Sequence, residues 1–423
     1  MSTSDVLHTC GSDRPGHIDL SDQLSDTPFT IEWLLTALSG DGHFLKLRNG
    51  STIENVTVTY ISKGIALASK VYKINVQFER SNDNFEVVLK VPGTQAFTAA
   101  VGSGDNGVSI DFIAKGHNLE CAFYKQFAPH LDMPLAKVFK AVEMRPGKAP
   151  GALLMESLHE RAGTFYLPTS CSRGQCFNVA KHLASFHKHF LCIPKDRWIG
   201  KYSDNAVSAF ANESHASYID QFPTMNPGVF DRAYKVLKEH AADKEFYQYM
   251  LTDVHKDIGL PLVLCHGDLH SGNLMWKLNS DGSVSNELAA MIDWQMIYEG
   301  CVTNDIAMFM ATSVDGDVRR DCEYNVLKFM YDRIVALMEK EGKAVDFSYE
   351  QMKLGYRINF AGHAARLLVM LPMLYGNELN WTPQDKPAKY AERDKLLLRA
   401  QYNLEDALDC LREVPNEKYR WEQ

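Results

Sequence analysis

The chain has 423 residues, 45% hydrophobic and 23% charged, which is the composition of a folded globular protein and excludes a disordered or fibrous one. That length exceeds what one compact core usually holds and suits two lobes. A net charge of −9 leaves no general basic footprint for nucleic acid, so a nucleic-acid partner is not expected.

The nine cysteines, at 10, 121, 171, 176, 192, 265, 301, 322 and 410, are scattered, with no CxxC pair. That pattern argues against a disulfide framework or a zinc site and fits a reducing compartment, so the expected address is the cytoplasm. The first twenty residues are polar and do not read as a secretory signal. The apolar run "AARLLVMLPMLYG" from Ala364 carries Arg366 and Pro372. It is too short for a membrane span and reads as a buried helix.

In chain order, residues 1–28 read as a flexible tail rich in Ser, Asp and Gly. From Pro28, Ile31, Leu34, Leu35 and Leu38 recur at helical spacing and Gly40 closes the helix. Three alternating runs follow as strands: Val56, Val58, Tyr60; then Tyr72, Ile74, Val76, Phe78; then Phe85, Val87, Leu89, Val91. Period two puts Lys90 on the face opposite that last apolar set. The run "VGSGDNG" from Val101 matches GxGxxG at Gly102, Gly104 and Gly107. The preceding strand ends near Val91, too early for a dinucleotide turn, so a mobile loop is expected.

The segment from His117 reads as a helix through Leu119, Phe123 and Phe127, with Glu120 on a half-buried face that calls for a cationic partner. A short apolar strand ends at Glu156, and the lobe boundary follows. Residues 29–158 form the expected N-lobe and 159–423 the C-lobe. One helix covers Phe177–Cys192, whose His182, His187 and His189 diverge and make no clean ligand pair. Further helices are predicted over 320–340, 350–376 and 389–412.

The stretch "LCHGDLHSGNLMW", Leu264–Trp276, precedes a turn centred near Ser283 and a second strand-like run, "ELAAMIDW". Folding the two runs back on one another sets Asn273 beside Asp293, give or take a bulge. An amide oxygen and a carboxylate are hard donors that suit Mg²⁺ with substrate phosphates as further ligands. Asp268 sits in the loop feeding the hairpin, where it could accept a proton from a hydroxyl. D-x4-N followed by a downstream Asp is the phosphotransfer arrangement, and a strand Lys (Lys90) followed by a helix Glu (Glu120) matches the pair that positions nucleotide phosphates. Ser271 lacks a G-x-S-x-G elbow, which removes a serine hydrolase from consideration.

On these motifs, "HGDLHSGNLMW" and "IDWQ" above all, the chain resembles small-molecule kinases of the aminoglycoside phosphotransferase and choline kinase superfamily. Within it, the chain looks most like the ecdysteroid kinase-like (CHK-like) nematode branch, over about residues 30–410. The resemblance implies an α+β, two-lobe protein-kinase-like fold, with a β-rich N-lobe and a larger helical C-lobe. It implies ATP and Mg²⁺ as cofactors, Asp268 as base or hydroxyl-orienting group, and Asn273 and Asp293 as metal ligands. Lys90 would contact the α- and β-phosphates and Glu120 would fix Lys90. Ser62, Ser69 and backbone N–H groups of Ile61–Lys70 would hold phosphates, and adenine would sit on Met155, Glu156, Ser157 and Leu158. Asp305 resembles a family aspartate that supports the loop, and His270 is expected to stabilise it.

His266-Gly267-Asp268 and Asp293-Trp294-Gln295 stand where protein kinases have His-Arg-Asp and Asp-Phe-Gly, and no APE-like segment follows, which argues against a protein substrate. The expected partner is a small-molecule alcohol, steroid-like or xenobiotic, in a pocket near 300–315 and 355–376 offering Met308, Phe309, Met310, Phe360, Leu367, Leu368, Met370 and Tyr375. Neither a membrane span nor an obligatory protein partner is expected. The rival reading is a catalytically inactive, nucleotide-binding pseudokinase or scaffold.

Overall fold

A computed structural model of the chain describes residues 7–10, 18–62, 68–80, 83–93, 109–203 and 215–422. The glycine pattern at 102–107 and most of the turn carrying Gly64 lie outside the described residues. The chain divides into a sheet unit, residues 1–130 and 135–159, and a helical unit, residues 131–134 and 160–423. The α+β class read from the sequence is the one the chain adopts, with strands concentrated in the first unit and helices in the second.

The sheet unit holds a six-stranded antiparallel sheet. Its strands are β1 (Leu7–Cys10), β2 (Ile53–Tyr60), β3 (Ser69–Phe78), β4 (Asn84–Pro92), β5 (Val138–Val142) and β6 (Ala152–Glu156), in spatial order β1-β2-β3-β4-β6-β5. The predicted alternation is the packing. Val56, Val58, Tyr72, Ile74, Val76, Phe78, Phe85, Val87 and Leu89 join one buried cluster with Ile31, Leu34 and Leu38 of α1 (Ile31–Leu38) and Phe44 of α2 (Gly42–Arg48). Thr30 and Asp41 cap these two helices with their side-chain oxygens. The other sheet face carries Lys90, which meets Glu120 on α3 (Ile110–Gln126).

Short elements escaped the sequence reading, α2 and β5 among them. α2 is a seven-residue helix and β5 a five-residue strand, both too brief for periodicity to declare them. The expected tail over 1–28 is also corrected. Leu7–Cys10 pairs with β2, Leu24 is fully buried, and Asp26 binds Lys70 at 2.6 Å. Ser and Asp in residues 18–28 make local turns, such as Ser21 N–H on Asp19 Oδ1 at 2.9 Å, so polar composition there marks turns and not a free end.

The helical unit contains β7 (Ala162–Gly163), α4 (Arg173–Cys192) and the strands β8 (Leu262–Cys265), β9 (Leu274–Leu278), β10 (Val284–Met291) and β11 (Tyr298–Cys301). Helices α5 (Asn304–Ser313), α6 (Gly316–Lys340), α7 (Tyr349–Ala365), α8 (Leu367–Tyr375) and α9 (Lys386–Leu411) follow. α4 packs along α6, and α7 along α5 and α9. β9, β10 and β7 form one small sheet, and β8 pairs with β11. The single helix expected over 350–376 is two, broken at Arg366. Among the described residues no helix is long and apolar enough to cross a membrane.

Ile74 is completely buried, at 0% accessibility within the cluster. Ile74→Ala is expected to lower unfolding free energy by about 2–5 kcal/mol. Lys73→Ala, on the opposite face beside Glu86 at 3.3 Å, is expected to change it by less than about 1 kcal/mol. Urea denaturation of both variants measures the contrast.

Candidate active site

Within the sheet unit, Lys90 Nζ donates to Glu120 Oε2 at 2.7 Å, with the residues 7% and 1% exposed. Lys90 lies opposite Val71 and Leu153 in the ladders of β3 and β6, so the sheet fixes its stem and α3 fixes its partner. Removing one member would leave a buried charge uncompensated. Ser62 and Ser69 are buried, and Ser62 Oγ accepts the Val71 N–H at 2.9 Å, which ties the end of β2 to β3. At the other end of the sheet, Glu156 N–H donates to Lys137 O at 2.8 Å and Glu156 Oε1 accepts Lys137 N–H at 2.9 Å. The Ser157 hydroxyl donates to Glu86 and accepts the His159 N–H at 3.2 Å. Met155 is held in the ladder opposite Val88 and Val138, while Leu158 is half-buried beyond it.

Within the helical unit, the loop from His266 to Asn273 is pinned at both ends. Asp305 at the start of α5 accepts His266 N–H at 2.7 Å and Gly267 N–H at 3.1 Å. Gly267 has φ +80°, and a Cβ there would stand 2.1 Å from Met296 O, so only glycine allows this turn. His266 Nε2 donates to Ile292 O at 3.0 Å, and its Nδ1 accepts Asp268 N–H at 3.3 Å. That ring therefore joins the Asp268 loop to the residue before Asp293. Farther along, Ser271 N–H donates to Ser313 Oγ at 2.8 Å and the Thr164 hydroxyl donates to Ser271 O at 3.1 Å.

Asn273 Nδ2 donates to Asp268 O at 2.8 Å and lies 3.4 Å from Asp268 Oδ2. Its own carbonyl accepts Ile292 N–H at 3.0 Å. The hairpin thus places Asn273 one residue from the predicted partner, and irregular pairing between Val284, Leu288 and Ala290 takes up the shift. Asp293 follows in left-handed backbone, φ 67° and ψ 61°, a conformation Asp tolerates at local cost.

Asp268 and His270 are partners, Oδ2 to Nε2 3.7 Å, with side chains 29% and 31% exposed. Burial pushes the Asp268 carboxyl up, but the His270 ring, then Arg366 and His266, overcome it and hold it down to about 2. Burial likewise opposes the His270 imidazolium, and the carboxylates of Asp268 and Asp293 outweigh it, raising His270 above its ordinary 6.5. An ionised, reachable carboxylate beside an amide is a hydroxyl acceptor by its nature.

With Nδ2 committed to Asp268, Asn273 Oδ1 is the amide atom left to bind a cation. An amide oxygen such as Asn273 Oδ1 and a carboxylate such as that of Asp293 are hard donors whose chemistry fits Mg²⁺, which accepts water and phosphate oxygens for its other positions. Among the described residues no group of three or more His, Cys, Asp and Glu could hold a metal by itself.

The structure therefore brings Lys90 to Glu120 in one unit, and Asp268, Asn273, His270 and the Asp293 segment together in the other. Of the residues expected to line an acceptor pocket, Met370 is half-buried, whereas Met308, Phe309, Met310, Phe360, Leu367 and Leu368 are core, each 3% exposed or less, and Tyr375 is 7% exposed. Apolar residues on helices are buried by default, and these follow that rule. Sequence reading missed His363 and Arg366; the one signal was a lone Arg inside the apolar run from Ala364.

In comparisons with known proteins, residues 54–413 match the family model described as "DUF1679: Uncharacterized oxidoreductase dhs-27". The Caenorhabditis elegans protein "Uncharacterized oxidoreductase dhs-27" is 26% identical over 349 residues, 80% of this chain and 41% of that protein. The chain thus spans less than half of that relative. "Uncharacterized kinase-like protein D1044.1" of the same organism is 22% identical over 329 residues, 76% of this chain and 84% of its own length. Among solved structures, a spectinomycin phosphotransferase in complex with ADP and spectinomycin aligns over 90% of this chain and 100% of its own. Its identity is 13% and its TM-score 0.45.

Asp305→Asn puts an amide N–H against one of the two buried loop donors and is expected to cost about 1–3 kcal/mol, read from denaturant unfolding. The Asp268–His270 pair gives a pH prediction. His270, raised in the folded state, contributes stability below 6.5 that is lost as pH climbs through its folded value; Asp268 contributes above 3.8, lost as pH falls toward about 2. NMR titration should find His270 above the usual histidine range, and Asp268→Asn should bring it down.

Proposed function

The chain belongs to the DUF1679 family, and from that premise we propose that it is an ATP- and Mg²⁺-dependent phosphotransferase acting on a hydroxyl of a small organic molecule. The observation that carries the reading is the half-buried, acidic Asp268 with the Asn273 amide on its main-chain carbonyl and the Asp293 segment paired to Asn273. The kinase-like name of one relative supports it, since that match covers 84% of the relative. "Oxidoreductase" in the other name is said of a protein of which the match covers 41%.

In the proposed reaction the acceptor oxygen forms a bond to the γ-phosphorus of ATP, the bond from that phosphorus to the β-bridging oxygen breaks, and ADP leaves. The hydroxyl proton passes to Asp268. A carboxyl held near 2 is a weak base at neutral pH, so Asp268 orients the hydroxyl and receives its proton late, as a loose phosphoryl transition state permits. Lys90, fixed by Glu120, neutralises α- and β-phosphate charge, and Asn273 and Asp293 would hold Mg²⁺. The metal, when bound, supplies charge neutralisation of the transferred group. Ser62, Ser69 and the turn between them contribute to phosphate binding, and Met155–Leu158 contributes backbone groups for adenine. N-lobe 29–158 and C-lobe 159–423 are the corresponding functional division. A cytoplasmic address belongs to the same reading, supported by free thiols at eight described cysteines.

The test is mass spectrometry of a metabolite extract incubated with the protein and MgATP, seeking products heavier by one phosphoryl group. Asp268→Ala is expected to lower turnover by about 10²–10⁴-fold while nucleotide affinity is retained. Nucleotide binding with no product in any extract would replace the enzyme with a nucleotide-binding scaffold.

A further inference from the structure

The acceptor is open in the reading above, and this inference rests on that reading. α7 and α8 meet at Arg366, the single charged residue between Ala364 and Gly376. Its guanidinium is half-buried. Nη1 donates toward His363 Nδ1 at 3.5 Å and Met308 Sδ at 3.9 Å.

His363 is 1% exposed and its Nε2 faces Asn304 Oδ1 at 2.9 Å. Burial, then the Arg366 charge, hold His363 well below its ordinary value. The ring is therefore neutral, donates through Nε2 and accepts through Nδ1. Asn304 adjoins Asp305, which pins His266 and Gly267. One turn of α5 thus positions both the Asp268 loop and, through His363, the Arg366 guanidinium.

No carboxylate pairs with Arg366 within 4.0 Å among the described residues, and Nε and Nη2 meet no protein acceptor there. These two N–H groups form the parallel edge that binds a carboxylate in bidentate fashion. The contacts from Arg366 through His363 to Asn304 end beside Asp305, whose carboxylate holds His266 and Gly267, so the guanidinium and the Asp268 loop are anchored on the same turn of α5, and its charge helps hold the Asp268 carboxyl down. It stands at the α7–α8 junction and not on the hairpin of Asn273 and Asp293, so acceptor and not nucleotide chemistry is its province. A half-buried Arg with its fork edge unmatched is an uncommon structural choice, and an apt one for an incoming anion.

We propose that Arg366 receives a carboxylate of the acceptor, so that the substrate is an organic hydroxy acid with its hydroxyl at Asp268 and its acid group at Arg366. The acid replaces the neutral alcohol as substrate class; every residue of α5 is buried, so the apolar side chains expected there to receive an alcohol are core.

Isothermal titration of the full chain without nucleotide tests this, using mandelate, ricinoleate and cholate against their methyl esters. At least one acid should bind about ten- to hundred-fold more tightly than its ester, the range of a hydrogen bond to a charged group. Arg366→Met should abolish that preference and Arg366→Lys retain part of it, both with unchanged MgATP affinity. Equal binding of acid and ester by the wild type, or no binding of any acid, overturns the proposal, and needs no variant to fold. So does a preference that survives in Arg366→Met. A loss of MgATP affinity in that variant overturns it in favour of a contact to the transferred phosphoryl. Because titration requires no turnover, failure of phosphotransfer with a persisting acid preference would sink the kinase reading alone. Phosphotransfer to neutral alcohols without that preference would sink this one alone.

Discussion

A buried carboxylate accepting two consecutive backbone N–H groups is the constraint on which the helical unit's site rests. Asp305 is fully buried, and its oxygens hold His266 and Gly267. Such bonds contribute about 1.5–3 kcal/mol each when the acceptor is charged, and their loss leaves buried donors unmatched. With those two residues fixed, Gly267 must turn through positive φ against Met296 O, and Asp268 emerges at the only angle the turn permits. His266 then passes the constraint to Ile292, and the Asn273 carbonyl meets the same residue from the other strand. Three segments distant in sequence are locked through ring and backbone contacts, which fix where the Asp268 carboxylate and Asn273 Oδ1 stand.

Charge in this site is arranged as a balance. Asp268 has His270 at 3.7 Å on one side and the influence of Arg366 on the other, and this keeps it ionised well below neutral pH. A strongly basic aspartate would hold its proton in the resting state and could not take up the proton of an incoming hydroxyl. A weakly basic one stays ready as acceptor and suits a reaction whose transition state builds little charge on the attacking oxygen. Neighbouring Asn304 and Asp305 divide two tasks, one reaching a guanidinium through His363 and one shaping the loop.

The sheet unit solves a different problem. Lys90 must leave a face lined by valines and still carry charge, and burial without a partner would be prohibitive. α3 supplies Glu120 at 2.7 Å, and the capping Ser109 at its start fixes where that helix begins. The opposite face of the sheet is closed by α1 and α2, so the pair is built on a rigid, two-sided support.

Much of this was legible in the residues themselves. Alternation in β2, β3 and β4 placed Lys90 on the face away from Phe85, Val87 and Leu89, because side chains on a strand can only alternate. The symmetry of the runs around Ser283 placed Asn273 near Asp293, because an antiparallel hairpin pairs residues equidistant from its turn. What sequence could not supply was the bulge that moved the pairing to Ile292, since a bulge depends on how both strands pack. Nor could it supply the pairing of Asp305 with His266 and Gly267, of His363 with Asn304, or of Arg366 with Met308, whose members lie tens of residues apart along the chain. Local pattern determined which face each side chain occupies. Only the packing of α5 against α7 and the loop decided which polar atoms meet, because buried donors and acceptors are satisfied by whatever the folded chain brings within reach.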